Sequence, residues 1–229
     1  MATIAGNIQQ VRARIAAACA AAQRPVESVT LLVVGKTFGA DVVREAFDAG
    51  ERCFGENYVQ EAVEKMEALS AIRPRSEWHL IGPLQANKTR VVAERFDWVH
   101  SVDRLKIAQR LAEQRPASLP PLQVCLQVNI SGEASKSGLE TSEVSEVAQA
   151  VAALPRLRLR GLMAIPEPVG DVEAQRRPHA ALRELLQRLQ REGLAVDTLS
   201  MGMTADLEAA IAEGATIVRV GTAIFGTRS

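Results

Sequence analysis

The chain has no surplus of either charge: 27 Lys and Arg stand against 27 Asp and Glu in 229 residues. A surface with no basic bias offers little for a polyanion to condense on, so nucleic acid is not expected as a partner. Cysteine is scarce. Cys19, Cys53 and Cys125 are odd in number, far apart and outside any CxxC pattern, which argues against a disulfide framework or a zinc site and fits a reducing cytoplasm. Long apolar runs are missing too. The longest near-continuous one, over 15–22, is alanine-rich and too short to span a bilayer. The opening Met1-Ala2-Thr3-Ile4-Ala5-Gly6-Asn7 lacks a basic region followed by an apolar core, so no secretory signal is read there. No short repeat favours a solenoid.

What is there begins with Leu31-Leu32-Val33-Val34-Gly35-Lys36. Four aliphatic residues in a row predict a strand buried on both faces, as in a parallel sheet. Lys36 then stands at its carboxyl end, where parallel α/β folds collect ligands. A lysine amine held against an apolar strand is easier to deprotonate and can condense with an aldehyde or ketone. The plainer reading is a lysine that snorkels to solvent.

Ile4, Ile8, Val11, Ile15 and Cys19 recur every three or four residues and predict an amphipathic helix ahead of that strand. Further strands are expected at 52–54, 78–81, 97–100, 122–128, 157–163, 196–199 and 216–220, all but the last followed by a stretch of helical period. Asn57 with Gln60, and Asp103, look like helix caps. About eight β/α units result, the number that closes a barrel, and the length lies near the roughly 250 residues usual for one. The expected fold is therefore α/β, a single-domain TIM (β/α)8 barrel over 1–229 with an extra N-terminal helix.

If the strands close in order, one rim collects Lys36, Asn57, His79, Ser101, Asn129, Met163, Ser200 with Gly202, and Gly221 with Thr222. Asn57 is as easily a cap as a ligand contact, and a lone strand histidine such as His79 is more often a satisfied core residue than a catalyst. The last two loops are sharper. In barrels a phosphate is frequently held after strands seven and eight, where Ser200-Met201-Gly202-Met203-Thr204 and Gly221-Thr222 stand. Asp206 and Glu208 would repel a phosphate on the axis of the helix that follows, which shifts the expected binding toward Ser200 and Gly221-Thr222. Arg219 interrupts the apolar run 216–220, and a buried guanidinium is costly unless it meets an acceptor: an interior carboxylate, or the ring nitrogen of a bound heterocycle.

With Lys36, these loops and Arg219 in view, the chain resembles the pyridoxal-phosphate homeostasis proteins, barrels similar to the N-terminal domain of alanine racemase. The likeness runs through Val34-Gly35-Lys36-Thr37, Phe54-Gly55-Glu56-Asn57-Tyr58-Val59-Gln60-Glu61, His79-Leu80-Ile81-Gly82-Pro83-Leu84-Gln85, Val128-Asn129-Ile130, Gly161-Leu162-Met163, Leu199-Ser200-Met201-Gly202-Met203 and Arg219-Val220-Gly221-Thr222. It implies an imine between Lys36 and the aldehyde of pyridoxal 5'-phosphate, phosphate contacts from Ser200, Gly221 and Thr222, Arg219 facing the pyridine nitrogen, and Asn57 and Met203 in the same cofactor site. It also implies a role in storing, buffering or delivering the cofactor, with pyridoxal-phosphate-dependent apoenzymes as candidate recipients.

Two enzyme readings stand beside it. A racemase of the same barrel type needs acid/base groups on both faces of the bound substrate, and Lys36 supplies one. The single tyrosine is Tyr58, which leaves His79 as the obvious substitute. A Schiff-base aldolase would use the lysine and the phosphate loops but leaves Arg219 unexplained. Lys136 is the alternative lysine for an adduct. No resident metal is expected, and the chain is expected to act as a monomer.

Overall fold

The computed structural model describes residues 3–132 and 137–226. Helix α1 (Ile4–Ala21) precedes β1 (Thr30–Val34), α2 (Ala40–Asp48), β2 (Cys53–Glu56), α3 (Val59–Ala68), β3 (Glu77–Leu80), α4 (Thr89–Arg95) and β4 (Trp98–Val102). Then follow α5 (Leu105–Gln114), β5 (Leu122–Gln127), α6 (Val144–Ala152), β6 (Leu157–Met163), α7 (Val172–Arg191), β7 (Thr198–Ser200), α8 (Leu207–Ala212), β8 (Ile217–Val220) and α9 (Thr222–Phe225). The strands are parallel and close in chain order, with β8 paired to β1. This is the expected TIM barrel with its leading helix.

Two apolar layers follow from the strand alternation. One side chain set packs outward against the helices, from Leu31 and Val33 through Val218 and Val220. The other fills the barrel: Leu32, Val34, Ile81, Trp98, Cys125, Met163 and Ile217. Each fully buried large aliphatic side chain contributes about 1.5–3 kcal/mol, so both layers are needed. The barrel is not round and regular throughout. The β5–β6 register shifts between Val124 and Cys125, and at Gly161 a Cβ would stand 1.9 Å from the Thr198 carbonyl oxygen. No side chain fits there, which lets β6 and β7 approach.

Helix α1 is capped by Thr3, whose hydroxyl accepts the Gly6 N–H at 3.1 Å. Its buried stripe of Ile8, Val11, Ile15, Ala18 and Cys19 covers α2, α8 and α9. Arg24 donates to the Ile211 and Ala215 carbonyls and Asn7 to that of Ile224, so the helix is tied to the last strand and its flanks.

Two local expectations are corrected. Asn57 is not a cap: α3 starts after Tyr58 with no side-chain cap, and Gln60 turns to Glu64 at 3.1 Å. Asp103 does not cap α5 either, because its carboxylate is taken by Arg104. Beyond β8 the chain makes the one-turn helix α9, too short to leave a periodic pattern in the sequence.

Candidate functional site

A cavity of about 560 Å³ opens at the carboxyl ends of the strands. Lys36, Thr37 and Phe38 wall it from the turn after β1, Met203 and Thr204 from the loop after β7, and Arg219, Gly221 and Thr222 from β8 and its turn. Asn57, Ile81 and Ile165 are also part of the lining. Because β8 closes against β1, Gly221 lies against Val34: a Cβ there would meet the Val34 carbonyl at 2.9 Å. The lysine turn and the last glycine turn are thus brought together by barrel closure.

The Lys36 turn is held by both of its neighbouring peptide groups. The Gly35 carbonyl accepts from Lys65 Nζ at 2.7 Å, and the Thr37 N–H donates to Glu61 Oε2 at 3.0 Å. Thr37 has φ 67°, a left-handed backbone that a β-branched residue rarely adopts. Its neighbours on α3 therefore fix a strained turn. Lys65 is itself buried and paired with Glu56 Oε1 at 2.8 Å. Burial pushes the Glu56 carboxyl up to about 7 even though the Lys65 cation pulls it down. Lys36 is exposed at the mouth, so the expected burial of its amine against an apolar strand is not what the fold provides.

The interior carboxylate foreseen for Arg219 is not what it meets. Its Nη1 donates to the Ser200 carbonyl at 2.6 Å and to Ser200 Oγ at 2.7 Å, and Nη2 donates to the Ala164 carbonyl at 2.8 Å. Backbone carbonyls, not a carboxylate, satisfy it. Burial lowers its pKa to about 10, which still leaves it charged at neutral pH. Ser200 Oγ also meets His100 Nδ1 at 2.7 Å, and His100 Nε2 meets His79 Nδ1 at 2.9 Å. Burial holds both imidazoles below their ordinary value, His100 well below it, so the pair is neutral. A neutral hydrogen-bond chain thus runs through the barrel and ends on the guanidinium.

Of the seven residues assigned to a cofactor site, Lys36, Asn57, Met203, Arg219, Gly221 and Thr222 line the cavity. Ser200 does not. It is fully buried in β7, where its hydroxyl accepts from Arg219 and meets His100. His79 lies inside the barrel, stacked on Trp98 at 5.3 Å, and not in the cavity wall. The feared repulsion from the α8 start is also disarmed. Asp206 accepts the Met203 N–H at 2.7 Å and meets His179 Nε2 at 3.0 Å, while Glu208 pairs with Arg14 at 2.7 Å. Lys136 falls outside the described residues.

Phe38, Ile81 and Ile165 line the cavity without having been singled out by sequence, and neither were the anchors Lys65, Glu61 and His100, which stand behind its wall. The lysine-bearing turn alone could have pointed to Phe38, which packs on Phe225 at 5.0 Å.

The family model for the alanine racemase N-terminal domain matches residues 4–229. A pyridoxal phosphate homeostasis protein of Pseudomonas aeruginosa is 61% identical over 228 residues, covering 100% of this chain and 97% of the relative. The protein of the same name from Escherichia coli K12 is 55% identical over 230 residues, with 98% and 97% covered. Among solved structures, PipY of Synechococcus elongatus with PLP bound superposes at a TM-score of 0.86 with 36% identity, covering 98% of this chain and 100% of that one. Alanine racemase of Corynebacterium glutamicum, at 17% identity and a TM-score of 0.72, shares the fold, with 98% of this chain and 61% of that one covered.

Proposed function

The chain belongs to the family of pyridoxal phosphate homeostasis proteins, built on the barrel of the alanine racemase N-terminal domain, and from that premise we propose that it binds pyridoxal 5'-phosphate and stores, buffers or delivers it without turning over a substrate. One observation carries the reading: a single cavity is walled by a primary amine, a buried guanidinium and a glycine-threonine turn. The donor set fits the group. When bound, the cofactor supplies an aldehyde able to condense with a primary amine, and Lys36 is the amine in the wall.

Each remaining residue has a role its chemistry supports. Gly221 and Thr222 offer backbone N–H groups and a hydroxyl to a phosphate, with Met203 and Asn57 lining the same space. Arg219, held by Ser200 and Ala164, presents donors only and keeps its proton at neutral pH. Facing the ring nitrogen of a bound cofactor, Arg219 would have no proton to accept and none to give up, and would so disfavour carbanion chemistry. The racemase alternative loses its second base: Tyr58 is exposed outside the cavity lining, and His79 is inside the barrel.

The same reading takes 1–229 as one cofactor-binding domain, cytoplasmic and monomeric, with pyridoxal-phosphate-dependent apoenzymes as recipients. Three free cysteines support the compartment, and the consumption of the α1 stripe within the barrel supports the monomer. No described helix is long and apolar enough to cross a membrane. The test is borohydride reduction after adding the cofactor, read by intact mass. The wild-type chain should gain one adduct and Lys36→Ala none; an adduct retained by Lys36→Ala, on Lys136 for instance, overturns the assignment. Incubation with L-alanine in deuterated water should give no rapid α-proton exchange, and rapid exchange would return the racemase reading.

A further inference from the structure

At the amino ends of the strands, opposite the cavity, three donor side chains of different chemistry converge. Cys53 and Glu77 are register partners at the starts of β2 and β3, and His79 follows two residues later on β3, on the same face. Glu77 Oε2 lies 3.9 Å from Cys53 Sγ and 3.6 Å from His79 Nε2, and all three ligand atoms lie within 4.8 Å of one another. For zinc bonds of 2.0–2.3 Å in a tetrahedron, the edges between ligand atoms are about 3.3–3.6 Å. Closing to those edges requires Cys53, half-buried, and Glu77, exposed, to turn toward the fixed His79 ring.

His79 is the second, independent sign. It is 1% exposed, and its Nε2 makes no hydrogen bond of normal length, with Glu77 Oε2 standing off at 3.6 Å. A buried ring nitrogen without a partner is uncommon in native proteins. The other nitrogen is committed to His100, and Trp98 stacks on the ring at an interplanar angle of 9°, so the imidazole is fixed with one nitrogen aimed at Cys53 and Glu77. That is the arrangement of a metal-ligating histidine, whose far nitrogen is normally held by a partner of its own.

We propose that this foot of the barrel binds one divalent d-block cation of the zinc type through Cys53 Sγ, the Glu77 carboxylate and His79 Nε2, with the fourth position open to water. The mixed sulfur, nitrogen and oxygen set selects zinc-like ions over magnesium or calcium. Binding exchanges the thiol proton, released to solvent, for a sulfur–metal bond, so affinity rises with pH. The cysteine spacing, which excludes a CxxC-type site, is silent about a site with one cysteine. A cation on Nε2 also obliges His79 to donate from Nδ1 to His100, and His100 in turn to Ser200 beside Arg219, which sets one direction along the chain that ends at the cavity.

The test uses the full chain, stripped with a chelator and titrated with cobalt chloride. One equivalent should give the visible d–d bands of tetrahedral cobalt, displaced by zinc and not by magnesium. Cys53→Ser and Glu77→Gln should each weaken binding by about 10–100-fold or more. Glu77, being exposed, carries the test if the cysteine variant folds poorly. Lys36→Ala, which lacks the proposed cofactor anchor, should bind cobalt as the wild type does, so the cation site stands or falls apart from the cofactor reading. No bands in the wild type, bands unchanged in Glu77→Gln, or bands lost in Lys36→Ala each overturn the proposal.

Discussion

Two polar networks cross the apolar barrel, and they are built on opposite principles. Behind the mouth, Glu56, Lys65 and Glu61 are ionisable groups that clamp the peptides on either side of Lys36. Through the barrel, His79, His100 and Ser200 are neutral groups that pass hydrogen bonds from one to the next until Arg219. The first holds a strained backbone with charge. The second holds a charge with neutral partners. A clamp can therefore be broken at a single ion, whereas a chain fails by losing any link.

The largest effect should come from the clamp. Lys65→Met leaves Glu56 buried without its partner and frees the Gly35 carbonyl, and removal of one member of a buried pair costs about 3–5 kcal/mol. A clear fall in thermal midpoint and a weakened cofactor adduct are expected; a midpoint near that of the wild type would show the clamp to be ornamental. Next comes the chain. Ser200→Ala strands a buried imidazole nitrogen and takes one acceptor from Arg219, at about 1–3 kcal/mol. Affinity should then drop for pyridoxal and for its phosphate alike. A loss confined to the phosphorylated form would make Ser200 a phosphate contact after all.

The comparison also shows what a sequence can and cannot disclose. Apolar runs such as 31–34 and 157–163 announce their strands because a buried parallel strand needs apolar side chains on both faces. Lys36 and Arg219 stand out because each violates such a run or ends one. Lys65 carries no such mark. Four residues after Glu61 on an amphipathic helix, it looks like half of a surface ion pair, and only the packing of α3 on β2 turns it inward to Glu56. Ser200 misleads for a related reason. Strand β7 is only three residues long, so a one-residue error in its end converts a side chain inside the barrel into one on the loop. The Cys53, Glu77 and His79 cluster is hidden because register between neighbouring strands, not spacing along the chain, assembles it.

A smaller effect tests the turn directly. Glu61→Gln keeps an acceptor for the Thr37 N–H but removes its charge, and the charge-assisted part of such a bond is worth about 1 kcal/mol, or roughly fivefold in cofactor affinity. The measurement is a titration of the apo-protein; an unchanged constant would mean that the strained turn holds without α3.

The last test is the pH dependence of stability, where the two networks should have opposite signs. Glu56 titrates near 7 in the fold against 4.5 for an unperturbed carboxyl, so the native state binds the extra proton between those values. Its contribution is present below about 4.5 and is lost as pH rises through 7. The two imidazoles are lowered from 6.5, so their contribution is present above that value and is lost as pH falls. In the wild type the slopes partly cancel between about pH 4.5 and 6.5. Glu56→Gln removes only the falling one, because Gln neither ionises nor loses the Lys65 contact. Denaturant midpoints of this variant, measured against the wild type, should therefore improve as pH rises from 4.5 to 7. A difference that stays flat with pH would mean that Lys65 keeps Glu56 ionised throughout, and that the clamp is an ordinary ion pair.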